Sequence, residues 1–225
     1  MKVATYVHEL LNQHKFNEAF DIAKKAYDES DQTLEKRQVI KPAFIVGEVD
    51  FGLYVLEEVI ERNRIAGRIS DTDLALAGAF SALTSNIDKS KKYFEIAISA
   101  EPNYTSNITV PIALTYIFSE RFEWKEIGSK ARKLLSRQSK KGIKIAKFLK
   151  KEISQEEFLM PEKTNEILLN RERCRKYYYV SGNSVIEGNI VKASEFRKKC
   201  INIEGRFLEI EYFIALQESR NSASN

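Results

Sequence analysis

Apolar residues recur every three or four positions along most of the chain, the spacing that places them on one face of an α-helix. Polar residues, glycine or proline interrupt the pattern about every 12 to 18 residues. In the first pair of segments, apolar positions within 3–11 and within 16–27 flank a polar break at 13–15. The sequence therefore predicts an all-α chain of antiparallel helical hairpins in series.

Short polar side chains and prolines mark several helix boundaries. Ser70 and the residues up to Asp73 form a cluster of the kind that caps the first turn of a helix. Pro102 is expected to end the helix before it. Ser154 and Glu157 have the spacing of a capping box. These signals predict helices that start near positions 74 and 155 and one that stops before 102.

Two further regions complete the predicted architecture. Within 42–60, either Gly47 or Gly52 could bend the chain between two helices. Segments 177–186, 190–203 and 207–216 predict three final helices. Residues 1–217 are predicted to form one domain, and the polar residues 218–225 a frayed tail.

One segment carries the pattern of a known repeat. When 74–103 is placed on the 34-residue tetratricopeptide pattern, Ala77-Gly78, Phe94, Ala97 and Pro102 take four of its characteristic positions. Ser90 occupies the small position where the two helices of a hairpin cross closely. Ser81 departs from the pattern, which has an aromatic residue at that place.

The small position recurs along the chain at Ala19, Ser90 and Ala193, which are 71 and 103 residues apart, close to two and three repeats. The chain thus resembles a tetratricopeptide-repeat (TPR-like) protein, the alternative being a non-repetitive helical bundle. The resemblance implies a right-handed superhelix of stacked hairpins, an α-solenoid. It also implies a concave face that binds a peptide or protein rather than performing chemistry.

Composition agrees with a helical chain and limits its class. The 225 residues are 43% hydrophobic and 30% charged, with only 9 glycines and 4 prolines. No stretch of about 20 apolar residues predicts a membrane span. Two cysteines cannot form the disulfide framework of a small secreted protein, so we expect a reducing compartment and a cytoplasmic location.

Charge is unevenly distributed. Residues 1–129 contain 15 basic and 20 acidic side chains, a net −5, whereas residues 130–225 contain 21 and 12, a net +9. The segment 130–151 holds ten basic residues and no acidic one. Such a run is either the solvated face of an amphipathic helix or a surface for an acidic partner, because the cations repel one another. The predicted partner-binding residues are Lys133, Arg137, Lys140, Lys144, Lys147 and Lys151.

The residues that most enzymes use for chemistry do not form a recognisable set. His8 and His14 are six residues apart, so on one helix they point in different directions and cannot share a metal. The two carboxylates of Asp71-Thr72-Asp73 are better explained as helix caps than as metal ligands. Cys174 has basic neighbours but no histidine nearby, which favours a buried, inert thiol. We therefore expect no catalytic residue, no cofactor and no metal.

The consecutive residues Tyr177, Tyr178 and Tyr179 could stack on bases, but on a helix at least one of them must face the core. Core packing is the favoured interpretation.

The sequence as a whole favours a non-enzymatic adaptor, chaperone or regulatory subunit that binds a protein or peptide. This partner is expected to be acidic if the basic run takes part in binding. The alternatives are a nucleic-acid-associated repeat protein and an enzyme with an unfamiliar site. Apolar residues near the end of the last predicted helix, such as Phe213 and Ile214, suggest a homodimer.

Overall fold

The computed structural model describes residues 3–68, 70–99, 109–137, 140–162, 165–204 and 209–223, with the side chains of 140–143 outside the description. Within these ranges the chain is helical and contains no strand, which confirms the predicted all-α class. The described α-helices are α1 Val3–Asn12, α2 Phe16–Glu29, α3 Thr33–Lys36, α4 Ile40–Val46, α5 Val49–Ile65, α6 Asp71–Leu83, α7 Ile87–Ser99, α8 Thr109–Arg121, α9 Lys125–Leu135, α10 Lys140–Leu149, α11 Gln155–Leu159, α12 Glu166–Ile186, α13 Ile190–Ile201 and α14 Ile210–Ala223. A 3₁₀ turn, Arg37–Val39, joins α3 to α4.

Six helix pairs are joined by the same kind of turn: α1/α2, α4/α5, α6/α7, α8/α9, α10/α11 and α12/α13. Each turn holds one residue with positive φ, namely His14, Gly47, Ser85, Glu123, Lys151 and Gly188. The amide after it donates to the carbonyl five residues earlier, as in Asn86 N to Ser81 O (2.7 Å). The positive-φ residues of these six turns are 33, 38, 38, 28 and 37 positions apart, and Gly67, between α5 and α6, forms a further turn with the same hydrogen bond, from Arg68 N to Asn63 O (2.8 Å). The same turn geometry therefore recurs along the described chain.

The small residues used as repeat anchors lie at tightly packed positions. Ala19, Ser90 and Ala193 are completely buried. In the α6/α7 hairpin, a Cβ atom on Gly78 would lie 3.0 Å from the ring of Phe94. The structure also resolves the choice between the two glycines near 50, since Gly47 forms the bend with φ of 98°. Small side chains thus mark where these helices approach closely.

Four helices, α6, α8, α12 and α14, surround the centre of the core. Contacts run from α6 to α8, from α8 to α12, from α12 to α14 and from α14 back to α6. We call this arrangement the four-helix ring. Each helix has a stretch buried on every side: 73–82, 111–119, 178–184 and 210–215. The remaining helices pack around the ring. The four helices of the ring are therefore covered on their outer sides as well as on the sides that contact one another.

The last helix differs from the prediction in both length and role. It continues to Ala223, so residues 218–223 are helical where the sequence predicted a frayed tail. Asn221 Nδ2 donates to Leu83 O (2.9 Å) at the end of α6, and Arg220 Nη1 donates to Phe44 O (2.6 Å) in α4. Polar residues in α14 are thus used to attach it to the rest of the chain.

The apolar residues of α14 are covered within the chain itself. Phe213 is 1% exposed and Ile214 is fully buried, since they face the ring. The apolar end face that suggested a homodimer is therefore internal, and the structure gives that expectation no support.

Candidate functional site

The predicted basic residues occupy α9, α10 and the turns that follow them. Lys133, Arg137 and Lys147 are exposed and make no ion pair with a described residue. The side chain of Lys140 lies outside the described residues. The helices that carry these cations, α9 and α10, contact each other. We call this region the basic surface, formed by Lys133, Arg137, Lys147 and Lys151.

Acidic residues from outside the run compensate part of its charge. Lys144 Nζ lies 3.1 Å from a carboxylate oxygen of Glu162, and Lys151 Nζ lies 3.0 Å from one of Glu187. Arg132 is paired in the same way with Glu120 (3.1 Å), and Lys150 with Glu152 (2.7 Å). The run is therefore less isolated electrostatically than its sequence suggests. Lys144 is partly covered, and only part of the predicted set remains available to a partner.

The turn between α10 and α11 fixes the position of Lys151. Its φ of 62° is held by the hydrogen bond from Glu152 N to Lys147 O (2.7 Å). The side chain then reaches α12, where it meets Glu187, while 69% of its surface stays exposed. Lys147 lies in the last turn of α10, four residues before Lys151. This turn links the basic surface to the hairpin α12/α13.

A polar pocket of about 180 Å³ lies at that junction. We call it the α10–α13 pocket; its polar lining consists of Lys151, Gln155, Asn183, Ser184, Glu187 and Lys192. Asn183 is only 9% exposed, and its side-chain amide makes no hydrogen bond with a described residue. The ammonium of Lys192 forms no ion pair within the described ranges, and its charge helps to lower the pKa of Glu156. The pocket therefore presents hydrogen-bonding capacity that the chain itself leaves unused.

Sequence reasoning did not find Asn183 or Lys192. Asn183 lies within a buried segment of α12, where the one available signal is an amide among mostly apolar or small neighbours. Lys192 is distant in sequence from the basic run and reaches the pocket only because α13 folds back on α12. The pair becomes recognisable once the hairpin is formed.

A second group of polar side chains lies inside the four-helix ring. Glu218 is 5% exposed and forms ion pairs with Arg121 and with Arg197, whose Nε lies 3.1 Å away. Tyr178 donates a hydrogen bond to Glu218 (3.3 Å), and burial followed by the charge of Glu218 raises the pKa of Tyr178 well above its usual value. Arg197 does not contribute to the basic surface, because its buried side chain pairs with Glu218.

Another buried carboxylate lies beside the cysteines. Burial and, after it, the charge of Glu209 raise the pKa of Glu211 to about 7, while the charge of Arg175 opposes this change. Tyr179 donates a hydrogen bond to Glu211 (2.9 Å). The sulfur atoms of Cys174 and Cys200 are 3.4 Å apart and fully buried, which confirms the expectation of a buried thiol at Cys174. Neither Glu211 nor Glu218 lines the two surface cavities described for the chain.

Three other sequence interpretations can be compared with the structure. Ser70 accepts a hydrogen bond from Asp73 N (3.3 Å), which confirms a helix cap at Ser70, whereas the Asp73 carboxylate pairs with Arg37 instead of capping the helix. Tyr178 and Tyr179 are completely buried, as core packing requires. Across the described ranges, no three His, Cys, Asp or Glu side chains are grouped to hold a metal ion.

None of the helices described combines the length and apolar character needed to cross a membrane. No protein-family model matches the chain, and no curated protein matches it significantly.

Proposed function

We propose that this protein is a non-enzymatic adaptor that binds an acidic segment of a partner protein. The binding region consists of the basic surface and the adjoining α10–α13 pocket. The observation that carries the proposal is the set of unused polar groups brought together there. Neither Lys147 nor Lys192 forms an ion pair, and the Asn183 side chain makes no hydrogen bond, within the described chain.

Carboxylates suit this region for two physical reasons. They would compensate cations that otherwise repel one another, and they would accept hydrogen bonds from the Asn183 amide and the Lys192 ammonium. The apolar side chains of Phe148, Ile153 and Val180 also line the pocket. An acidic protein segment can supply both carboxylates and apolar groups, which favours a protein over a simple polyanion.

The position of α14 supports an outer binding surface rather than the concave face that the repeat resemblance implies. In the four-helix ring, α14 contacts both α6 and α12. A ligand at that place would have to displace α14 and expose the Glu218 ion pairs. The basic surface can be reached without such a rearrangement.

The experiment compares two charge-reversal variants in a pull-down from nuclease-treated lysate, at low and at physiological ionic strength. One variant combines Lys133→Glu, Arg137→Glu and Lys147→Glu. The control combines Lys91→Glu, Arg173→Glu and Lys198→Glu. It changes the net charge by the same amount, at other exposed cations that also have no described ion-pair partner.

A protein retained by the wild type and by the control, but lost from the first variant, is the expected result. Its retention should weaken as salt screens the charges. Equal retention by both variants at low ionic strength would reject the role of the basic surface. Loss of every partner on nuclease treatment would favour nucleic acid as the ligand instead.

A further inference from the structure

A groove lies between the second helices of two consecutive hairpins. The helices α5 and α7 both pack against α6, and together with the start of α6 they enclose a cavity of about 370 Å³. Its apolar lining consists of Ile60, Leu74, Tyr93 and Ile96. Ile96 is 37% exposed, so apolar surface is open to solvent within the groove. We call this cavity the α5–α7 groove; its lining includes no residue of the basic surface.

The acidic residues of the groove are already engaged by basic residues. Lys89 Nζ lies 2.5 Å from Glu57, and burial together with Glu57 raises the pKa of Tyr93 above its usual value. Glu61 accepts two hydrogen bonds from the Arg64 guanidinium, at 2.8 and 2.6 Å. Both carboxylates in the lining are therefore compensated inside the chain.

Two cations in the same lining are not compensated. Arg68 and Lys92 are exposed, and neither makes an ion pair with a described residue. They come from different segments, since Arg68 follows α5 and Lys92 lies in α7. The groove thus combines an apolar floor with uncompensated positive charge, a combination that selects a ligand with both apolar and anionic groups.

We propose that the α5–α7 groove is a second docking site, which takes a short protein segment with an apolar side chain flanked by carboxylates. The apolar side chain packs on Ile60 and Ile96, and the carboxylates pair with Arg68 and Lys92. Apolar contact supplies most of the favourable burial, while the two cations fix the orientation of the segment and exclude basic sequences. This site is independent of the basic surface, so the adaptor can hold two segments at once.

The probe is a library of random peptides about twelve residues long displayed on phage, long enough to cover a cavity of this size. The library is selected on the wild type and depleted on the variant Ile96→Glu, which places a charge on the apolar floor at an already exposed position. The expected peptides carry an apolar residue next to Asp or Glu. Failure to enrich any peptide, or enrichment of basic peptides, would overturn the proposal.

A selected peptide, labelled with a fluorophore, is then titrated against purified variants by fluorescence anisotropy. The double variant Arg68→Glu with Lys92→Glu should weaken binding about tenfold or more, and the remaining binding should depend less on salt. The control variant Lys91→Glu with Arg173→Glu has the same change in charge and residue type outside the groove, and should bind as the wild type does. Equal weakening in both would show that net charge alone attracts the peptide.

Two further readouts separate this site from the basic surface and from misfolding. The Cδ1 methyl resonances of Ile60 and Ile96 should shift on addition of the peptide, and unchanged resonances would reject the groove as its location. The circular dichroism spectrum of the Arg68/Lys92 variant should match the wild type. That variant should also retain any partner of the basic surface, so the two proposals can fail separately. A single-stranded oligonucleotide should displace the labelled peptide less well than the unlabelled peptide does. Equally strong displacement would contradict a protein ligand.

Discussion

The substitution Glu218→Ala tests whether α14 is an essential part of the core. Glu218 is 5% exposed and faces two guanidinium groups, whose side chains are only 12% exposed in Arg121 and 11% in Arg197. Removing the carboxylate leaves two buried cations without compensation and Tyr178 without its acceptor. Breaking a buried ion pair from one side typically costs 3–5 kcal/mol, so we expect a loss of about 4 kcal/mol in the free energy of unfolding.

The matched control is Glu195→Ala on α13. Glu195 also forms an ion pair, with Lys199 at 2.6 Å, but its side chain is 57% exposed. Solvent screens such a pair, and its removal should cost about 0.5 kcal/mol or less. Both variants are compared with the wild type by urea denaturation followed by circular dichroism. If Glu218→Ala costs within about 1 kcal/mol of Glu195→Ala, the buried ion pairs do not stabilise the ring as argued.

Two further predictions concern the other buried groups. The pKa of Glu211 is raised to about 7 in the folded chain from an ordinary value of 4.5, so stability should fall as pH rises from 4.5 to 7. The substitution Glu211→Gln should abolish this fall. Measured by urea titration, the free energy of unfolding of the variant should gain about 3 kcal/mol relative to the wild type between pH 4.5 and 7. A difference between the two proteins that does not vary with pH would contradict the raised pKa of Glu211. Cys174 and Cys200 are fully buried, and burial raises the pKa of Cys200, so neither should react with a thiol reagent until the protein is denatured. Rapid labelling of one thiol in the native protein would show that the hairpin α12/α13 opens.

Local features of the fold could be predicted from the sequence because their causes lie within a few residues. The apolar spacing, the Ser70 cap and the Ser154 cap, which accepts from Glu157 N at 3.1 Å, all act within one helical turn. On the same basis, the position of the bend between α4 and α5 could be narrowed to Gly47 or Gly52. Small residues such as Ser90 likewise indicated where helices cross, because close approach excludes a large side chain.

The closure of the ring could not be predicted, because it depends on residues far apart in the chain. Arg121 and Glu218 are 97 positions apart, and Arg220 reaches a carbonyl 176 positions earlier. Between such positions no periodic signal exists, so polar residues near the end of the chain were interpreted as a tail. The counter-charges Glu162 and Glu187 were missed for the same reason.

The four-helix ring has a consequence for how the chain folds. In an open repeat array each unit contacts its neighbours, so units can form and melt one after another. Here α14 contacts both α4 and α6, which ties the last helix to the second and third hairpins. Closing so long a loop carries an entropic cost that is recovered only when the final contacts form, which slows folding. We therefore expect α14 to unfold together with α4 and α6 in one cooperative step.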